Sequence, residues 1–419
     1  MPPYPNAQRW PVAIAGTFLQ IGLGTVYAWS FFQKPITVTY GWSNESVTWV
    51  FSLAICFLGL SAAWGGFQLK SARLSPRSLA LAGGILFSLG HFMAAAALSK
   101  GLLWLLLLGY GVVGGTGLGL AYVVPVATAA KWFPDKKGLI TGMVVMGFGL
   151  GALLMSKVLA PLALRVFNQN LALSFAAMGA VFSVLIPAAA WFMKNPPSAG
   201  SLSGKPDSAG EIPVSETDRA PAGARFMALW LLFFCNIFVG ISIISFQSPL
   251  LQNLLLREHP GMDASSLAGA GATLIACGAI FNGLGRFLWG AVSDRMGQSR
   301  AFSAMMGTQV LVFLFLPKAS NPWLFGTLVC YILLCYGGGF GTIPAYVQAL
   351  FGPTRMAMLY GVILTAWSAA GIAGPKFMAW LLDNHPDSAA RTAFLCSSAL
   401  VAFGFVLTFV PSLRTPRDE

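Results

Sequence analysis

The chain alternates long apolar runs with short segments that carry most of its charged and turn-forming residues. The apolar runs lie near positions 12–33, 47–67, 78–98, 102–130, 138–164, 169–193, 226–256, 265–292, 301–317, 322–350, 356–381 and 392–412. A helix needs about 20 apolar residues to cross a bilayer core about 30 Å thick. The pattern therefore predicts an all-α membrane protein with twelve transmembrane helices.

The polar stretch between the sixth and seventh runs divides the chain into two halves. Residues 194–225 are rich in proline, serine, glycine and charge, and such a composition cannot bury enough apolar surface to fold alone. The sequence thus predicts an amino-terminal six-helix bundle at 1–193, a cytoplasmic linker at 194–225 and a carboxy-terminal six-helix bundle at 226–419.

The two halves carry matching motifs. Phe32–Pro35 near the end of the first run is echoed by Phe246–Pro249 in the seventh, and the glycine-rich Gly114–Gly119 by Gly337–Gly341 in the tenth. Internal repeats with glycine-dense helices are typical of transporters that expose one central site to each side of the membrane in turn.

Composition and charge narrow the class further. Hydrophobic residues make up 56% of the 419 residues and charged residues 9%, which excludes an ordinary soluble domain. The net charge of +12 does not indicate nucleic acid, because the basic residues lie between the apolar runs: sixteen Lys and Arg are on the side of the termini and six on the opposite side. The positive-inside rule then predicts a protein of the plasma (inner) membrane with both termini in the cytoplasm. All six cysteines lie in apolar stretches without Cys-x-x-Cys spacing, so no metal or cofactor is expected.

Arg286 is the most informative residue inside an apolar run. It lies eight residues, or about 12 Å along a helix, from Asp294 at the end of its run, and so near the middle of the bilayer core. Arginine keeps its charge in proteins, and no Asp or Glu lies inside any predicted span to neutralise it. A planar fork of donors suits a carboxylate. We therefore expect Arg286 to bind a carboxylate substrate rather than to serve packing alone.

Six further residues fall at comparable depth and are candidates for the same binding site. Asn282 precedes Arg286 by one turn and can hydrogen-bond the guanidinium or a substrate oxygen, but it cannot carry a proton. The others are Tyr122, Tyr336, Phe340, Phe148 and Trp367. Their hydroxyls and rings can wall a small pocket, although aromatic side chains in spans are also common packing residues.

Charged residues near the ends of the runs are candidates for gating. Lys34 follows the first run and can attract anions to the outer mouth. Asp294 and Arg295 lie between the eighth and ninth runs, where an acid that pairs with a base in only one state acts as a latch. Lys157 and Lys376 occupy matched positions at an offset of 219 and are expected to extend to the outer surface.

Several segments resemble a known superfamily. Gly290–Gly297 resembles the loop motif of the major facilitator superfamily, whereas the matching segment of the first half, Gly65–Arg73, lacks the aspartate. Lys131–Gly142 is similar to the helix 4–5 signature of the monocarboxylate transporter and oxalate:formate antiporter families, and Phe32–Val38 to the end of helix 1 in monocarboxylate transporters. The resemblance covers essentially the whole chain and implies the major facilitator fold.

The resemblance also implies roles for single residues. In monocarboxylate transporters an arginine of helix 8 binds the substrate carboxylate and a lysine belongs to helix 1; these correspond to Arg286 and Lys34 here. An aspartate implicated in proton coupling in animal members corresponds to Asn282, and the helix 11 lysine of oxalate transporters to Trp367. One cation instead of two favours monocarboxylates such as lactate or pyruvate over oxalate.

Three hypotheses about function stay open at this point. The first is a secondary active transporter of small monocarboxylates that takes up a proton with its substrate and works by alternating access, the proton riding on the substrate carboxyl. The second is an organic-anion exchanger of the oxalate/formate type, because Arg286 needs an anion during every crossing. The third is a transporter-like ligand sensor. An enzyme is not expected, because the spans hold no carboxylate, metal cluster or nucleophile-base pair.

Overall fold

The computed structural model describes residues 6–133, 137–197, 222–385 and 388–415. Within these residues twelve helices are long and apolar enough to cross a membrane, as the apolar runs predict, and no strand is present. They are α1 (Ala7–Tyr40), α2 (Asn44–Lys70), α3 (Pro76–Lys100), α4 (Leu103–Trp132), α5 (Leu139–Val166), α6 (Leu171–Ala190), α7 (Gly223–Glu258), α8 (Ala264–Met296), α9 (Gln298–Lys318), α10 (Pro322–Phe351), α11 (Arg355–Leu382) and α12 (Ala389–Leu407). Most of the predicted linker, at 198–221, and positions 134–136 of the helix 4–5 signature lie outside the described residues.

The helix ends differ from the ends of the apolar runs where local capping decides them. α1 continues past Lys34 and stops at Gly41, whose φ of 67° closes the helix in the left-handed region that glycine adopts without strain. At the start of α8, Asp263 accepts hydrogen bonds from the Ser266 backbone N–H and hydroxyl, at 2.9 and 2.6 Å. These bonds hold the pKa of the Asp263 carboxyl below its ordinary value. Twelve crossings return the chain to the side on which it began, called here the terminal side.

Several helices are interrupted within the membrane. α1 contains a 3₁₀ turn at Thr25–Ala28, and π-helical segments occupy Leu107–Gly114 of α4 and Met155–Leu159 of α5. α11 is broken at Leu364, between helical segments that end at Ile363 and begin again at Thr365. Such departures from α-helical hydrogen bonding are frequent at hinges and functional sites.

The first six helices and the last six meet along two seams. One seam is formed by α5 against α8, and the other by α2 against α11. Glycine permits the close approach: an added Cβ at Gly149 of α5 would lie 2.6 Å from the Gly283 backbone of α8, and one at Gly66 of α2 would lie 2.7 Å from the Ala357 carbonyl oxygen of α11. The central site lies between these seams.

Large apolar side chains remain exposed on the circumference of the bundle. Ile85, Val184 and Val406 are 61%, 70% and 63% exposed, whereas the interior holds a continuous core that includes residues of both halves. Exposure of this kind would be unfavourable in water and is satisfied by hydrocarbon. The protein is therefore a multi-pass membrane protein.

Gly119 provides a test of close packing between α2 and α4. A Cβ at this position would overlap the Leu58 carbonyl oxygen and the Ser61 hydroxyl of α2. We expect Gly119→Ala to lower the midpoint of thermal unfolding by on the order of 5 °C, because overpacking of this kind costs about 1–3 kcal/mol. Tryptophan fluorescence of the purified protein during heating measures the change.

Gly269→Ala in α8 is the matched control. No atom lies within 4 Å of a Cβ added at Gly269, and alanine is the better helix former. Its midpoint is expected to equal or exceed that of the wild type. Equal midpoints for Gly119→Ala and the wild type would contradict close packing of α4 on α2.

Candidate functional site

Arg286 is completely buried between the two halves. Its Nε donates to Asn282 Oδ1 at 3.2 Å, one turn earlier on α8, and its Nη1 donates to the Val145 carbonyl oxygen of α5 at 3.3 Å. The guanidinium lies over the rings of Phe340 and Phe148, at 4.5 and 5.2 Å from their centroids. Backbone, amide and π-faces thus hold the charge in place from both halves of the protein.

The charge on Arg286 has no acidic partner among the residues that the structure describes. The guanidinium makes no ion pair among the described residues, and its Nη2 is buried without a hydrogen-bond partner there. Burial of an unpaired cation costs several kcal/mol, and cation–π contacts return only part of this. The arrangement strongly favours an anion beside Nη2.

The two rings in contact with the guanidinium belong to a cluster of six buried aromatic side chains, which we call the aromatic cage. The cage consists of Tyr27, Tyr122, Phe148, Tyr336, Phe340 and Trp367. Trp367 is its centre, with ring centroids 4.6–5.9 Å from those of Phe340, Tyr122, Phe148 and Tyr27. Each cage residue is at most 2% exposed, so the site is closed to both sides of the membrane.

Two of the cage residues occupy matched positions of the internal repeat. Phe148 in α5 and Trp367 in α11 are related by the offset of 219, and their ring centroids lie 5.5 Å apart. Residues related by a two-fold axis contact each other only near that axis. Arg286 has no basic counterpart across it, so the cage is asymmetric in charge.

Donor groups outnumber acceptors around Arg286. Buried groups without a hydrogen-bond partner among the described residues include the Tyr122 and Tyr360 hydroxyls, Trp367 Nε1 and Arg286 Nη2. The Tyr122 hydroxyl lies near Arg286 and Tyr360, and the Tyr336 hydroxyl lies near Trp367, but none of these pairs has the geometry of a hydrogen bond. Buried donors are normally satisfied, and a ligand that supplies oxygen acceptors, such as a carboxylate, could satisfy these four.

The structure brings together all seven residues that the sequence nominates for substrate binding. Arg286, Asn282, Phe148, Phe340 and Trp367 are joined by the contacts above, and Tyr122 contacts Phe148 and Trp367. Tyr336 packs on Phe340 with a centroid distance of 5.2 Å. The clustering is a fact of geometry; binding by these residues stays a prediction.

The three residues nominated for gating lie elsewhere. Lys34 is exposed near the end of α1, away from the terminal side. Asp294 is half-buried and Arg295 is exposed in the last turn of α8, at the terminal side. None of the three belongs to the cage.

Sequence reasoning missed Tyr27 and Tyr360. The Tyr27 hydroxyl forms a 2.5 Å hydrogen bond with the Tyr336 hydroxyl, and this bond joins α1 to α10 within the cage. Tyr27 lies in the 3₁₀ turn of α1, and regular helical depth did not single it out. Tyr360 precedes Trp367 by seven residues, or two turns of a helix; this spacing was the available signal.

Two lysines connect the halves on the side away from the termini. Lys376 of α11 forms an ion pair with Glu45 of α2 and lies 4.6 Å from the Trp49 ring centroid. Lys157 of α5 donates to the Thr273 hydroxyl of α8 at 3.1 Å. Both lysines reach this side, as expected, and each also bridges one seam.

No group of three or more His, Cys, Asp or Glu residues in the described part of the chain is placed to hold a metal ion.

Comparison with known proteins agrees with this architecture. Residues 13–375 match the sequence model of the Major Facilitator Superfamily. A bacterial homologue of the human lysosomal transporter Spinster, solved in an inward-facing, unoccupied conformation, superposes with a TM-score of 0.64 over 99% of both chains at 16% identity. At this identity the superposition supports the fold alone, and it confirms the fold that the sequence predicts.

Three curated relatives are transporters by name. The oxalate:formate antiporter of Oxalobacter formigenes is 25% identical over 97% of this chain and 93% of its own length. The apicoplast pyruvate carrier 1 of Toxoplasma gondii is 28% identical over 77% of this chain and 67% of its own length. Monocarboxylate transporter 11 of mouse is 26% identical over 88% of this chain and 79% of its own length.

Proposed function

Because the chain belongs to the major facilitator superfamily, we propose that it is a secondary active transporter of small monocarboxylates that works by alternating access. One observation carries the proposal: Arg286 is buried at the centre of the molecule with no acidic partner among the described residues and with a free Nη2. A transported carboxylate neutralises this charge and satisfies the donors around it. Relatives named for pyruvate and monocarboxylates support the substrate class.

The substrate has one carboxylate and is small. The cage adjoins a single cation, Arg286. By the resemblance to oxalate transporters, Trp367 stands at the position where those proteins carry a lysine. A second carboxylate would find no second positive charge among the described cage residues, and its desolvation would go uncompensated. Lactate and pyruvate are the representative substrates.

A proton crosses with the substrate. Asn282 replaces the acidic residue expected for proton coupling one turn before Arg286, and its amide does not titrate. The proton then accompanies the carboxylate, whose charge Arg286 binds, so that each step moves one anion and one proton together. Uptake is expected to rise with acidity on the side from which the substrate enters.

Alternating access requires the two seams to open in turn. We place the termini in the cytoplasm of the plasma (inner) membrane, on the excess of Lys and Arg on that side. The Lys376–Glu45 and Lys157–Thr273 contacts then lie at the outer surface and separate when the site opens outward. Asp294, in the last turn of α8, would latch the inner surface.

Uptake of labelled L-lactate into liposomes that contain the purified protein tests the proposal. With an inward proton gradient, we expect accumulation above the external concentration, abolished by a protonophore. Liposomes without protein and liposomes with Arg286→Gln are the controls. Saturable binding without accumulation would contradict transport and indicate a ligand sensor.

Organic-anion exchange is the second candidate, favoured by the same unpaired charge. An empty carrier would have to move Arg286 without a counter-ion, whereas an exchanger always crosses with an anion bound. The antiporter relative is consistent with this cycle. Lactate uptake that occurs only into liposomes preloaded with a carboxylate, and that ignores the proton gradient, would establish exchange in place of symport.

A further inference from the structure

Two glutamines that correspond in the internal repeat have different environments. Gln33 of α1 is fully engaged: its Nε2 donates to the Asn44 carbonyl oxygen and the Thr48 hydroxyl, at 3.0 and 3.1 Å, and its Oε1 accepts from Trp29 Nε1 at 2.9 Å. Gln247 of α7 is 2% exposed, and its Oε1 has no hydrogen-bond partner among the described residues. The repeat therefore has one structural glutamine and one with a free, buried acceptor.

Gln247 lines a pocket beside the cage, which we call the side pocket. The pocket lies between α1, α5, α7, α8 and α10, and in this closed state its cavity of about 10 Å³ has room for one group the size of a water molecule. Its walls are mostly small or apolar, including Ala279 and Leu333, and its polar side chains are Tyr27, Gln247 and Asn282. A single small polar group, such as a hydroxyl at the end of a substrate bound beside the pocket, suits this size and lining.

The side pocket adjoins the guanidinium. Asn282, which lines the pocket, accepts the hydrogen bond from Arg286 Nε. Side chains on a helix lean toward its amino terminus, so the guanidinium extends along α8 toward Asn282 and Gly278. A Cβ added at Gly278 would lie 3.1 Å from Gln247 Oε1. The acceptor oxygen thus lies about one helical turn, on the order of 5 Å, beyond the Asn282 position.

We propose that Gln247 accepts a hydrogen bond from a hydroxyl group of the substrate whose carboxylate is held by Arg286, so that the protein selects short hydroxy monocarboxylates over the corresponding oxo acids. This inference rests on the proposed function and specifies its substrate class. A hydroxyl donates to the free Oε1, whereas an oxo oxygen only accepts and would face Oε1 with like polarity. An unsubstituted acid leaves the acceptor unsatisfied.

Competition in the liposome assay tests the role of Gln247. Wild-type protein is expected to prefer L-lactate over both pyruvate and propionate, which match lactate in size but lack the hydroxyl. Gln247→Met keeps the length of the side chain and removes the acceptor. We expect it to reduce the affinity for lactate about 3- to 10-fold, the usual value of one net hydrogen bond, and to change the affinity for propionate by less than about twofold.

The matched control is Gln33→Met, which removes the structural glutamine of the repeat. It is expected to leave the ratio of the affinities for lactate and propionate unchanged, whatever its effect on the amount of folded protein. Gln247→Asn, which retracts the amide by one methylene group, is a second variant and should lower the ratio as Gln247→Met does.

An unchanged ratio in both Gln247 variants, or a wild-type preference for pyruvate, would overturn the inference. Because propionate uptake reports on transport itself, these results would leave the proposed function intact. If the wild-type protein took up none of the three acids, that result would instead contradict the proposed function.

Discussion

Arg286→Lys is expected to reduce proton-driven lactate uptake by on the order of 100-fold or more while the protein remains folded in the membrane. Lysine keeps the charge but loses the planar fork, whose Nε and Nη1 are held by Asn282 and Val145 while Nη2 remains free for the substrate. An ammonium on a flexible chain has no such geometry, and it is also more strongly hydrated. Removal of one partner of a buried, charged hydrogen bond commonly costs about 2–5 kcal/mol in binding.

Initial rates of labelled lactate uptake into liposomes, normalised to folded protein, measure this effect. Arg286→Gln should lose uptake at least as completely. The matched control is Arg165→Lys, because Arg165 is exposed at the end of α5, away from the cage, and this variant should transport normally. If Arg286→Lys retained uptake within about threefold of the wild type, Arg286 would not be the carboxylate-binding group.

Trp367→Lys is expected to convert selectivity from monocarboxylates toward dicarboxylates. Trp367 contacts Phe148 and Phe340, the two rings over which the Arg286 guanidinium lies. A lysine here places a second basic group near the first, and a dianion between the two stabilises the charged form of both in a closed, low-dielectric site. We expect the ratio of oxalate to lactate uptake to rise at least about tenfold.

Oxalate should also raise the unfolding temperature of Trp367→Lys, because a ligand that binds only the native state stabilises it. Trp367→Met is the control, since it removes the ring and adds no charge; it should show neither effect. An unchanged ratio of oxalate to lactate in a folded Trp367→Lys protein would mean that position 367 does not contact the transported anion.

Phe148 and Trp367 occupy matched positions of the internal repeat and show how the two halves of the protein come to differ in polarity. Their rings touch near the axis between the halves, yet Arg286 belongs to the second half alone. The same divergence separates Gln33, which is bound to its own half, from Gln247, whose Oε1 is free. At these positions the first half supplies packing, and the second half supplies the buried groups to which the proposed function assigns substrate recognition.

The number of membrane helices followed from the sequence alone, because each crossing needs its own apolar run and charged residues are excluded from the core. The prediction that Arg286 lies deep in the bilayer rests on the same kind of argument: its distance in residues from Asp294 is fixed by helical rise. The aromatic candidates Tyr122, Phe148 and Trp367 were also accessible from depth. The carboxy-terminal ends of two helices were predicted less accurately. The sixth and twelfth apolar runs extend past the ends of α6 and α12, because apolar residues continue into the segments that follow, at Trp191 and Pro411.

Only the tertiary structure decided which faces of those helices meet. Tyr27 joins the cage because α1 is interrupted at Thr25–Ala28 and lies against α10. Neither feature can be predicted from the periodicity of apolar residues in the sequence. Lys376 pairs with a residue 331 positions away. Depth along a helix is a one-dimensional quantity that composition fixes, whereas the partner of a side chain depends on the rotation and packing of helices far apart in the chain.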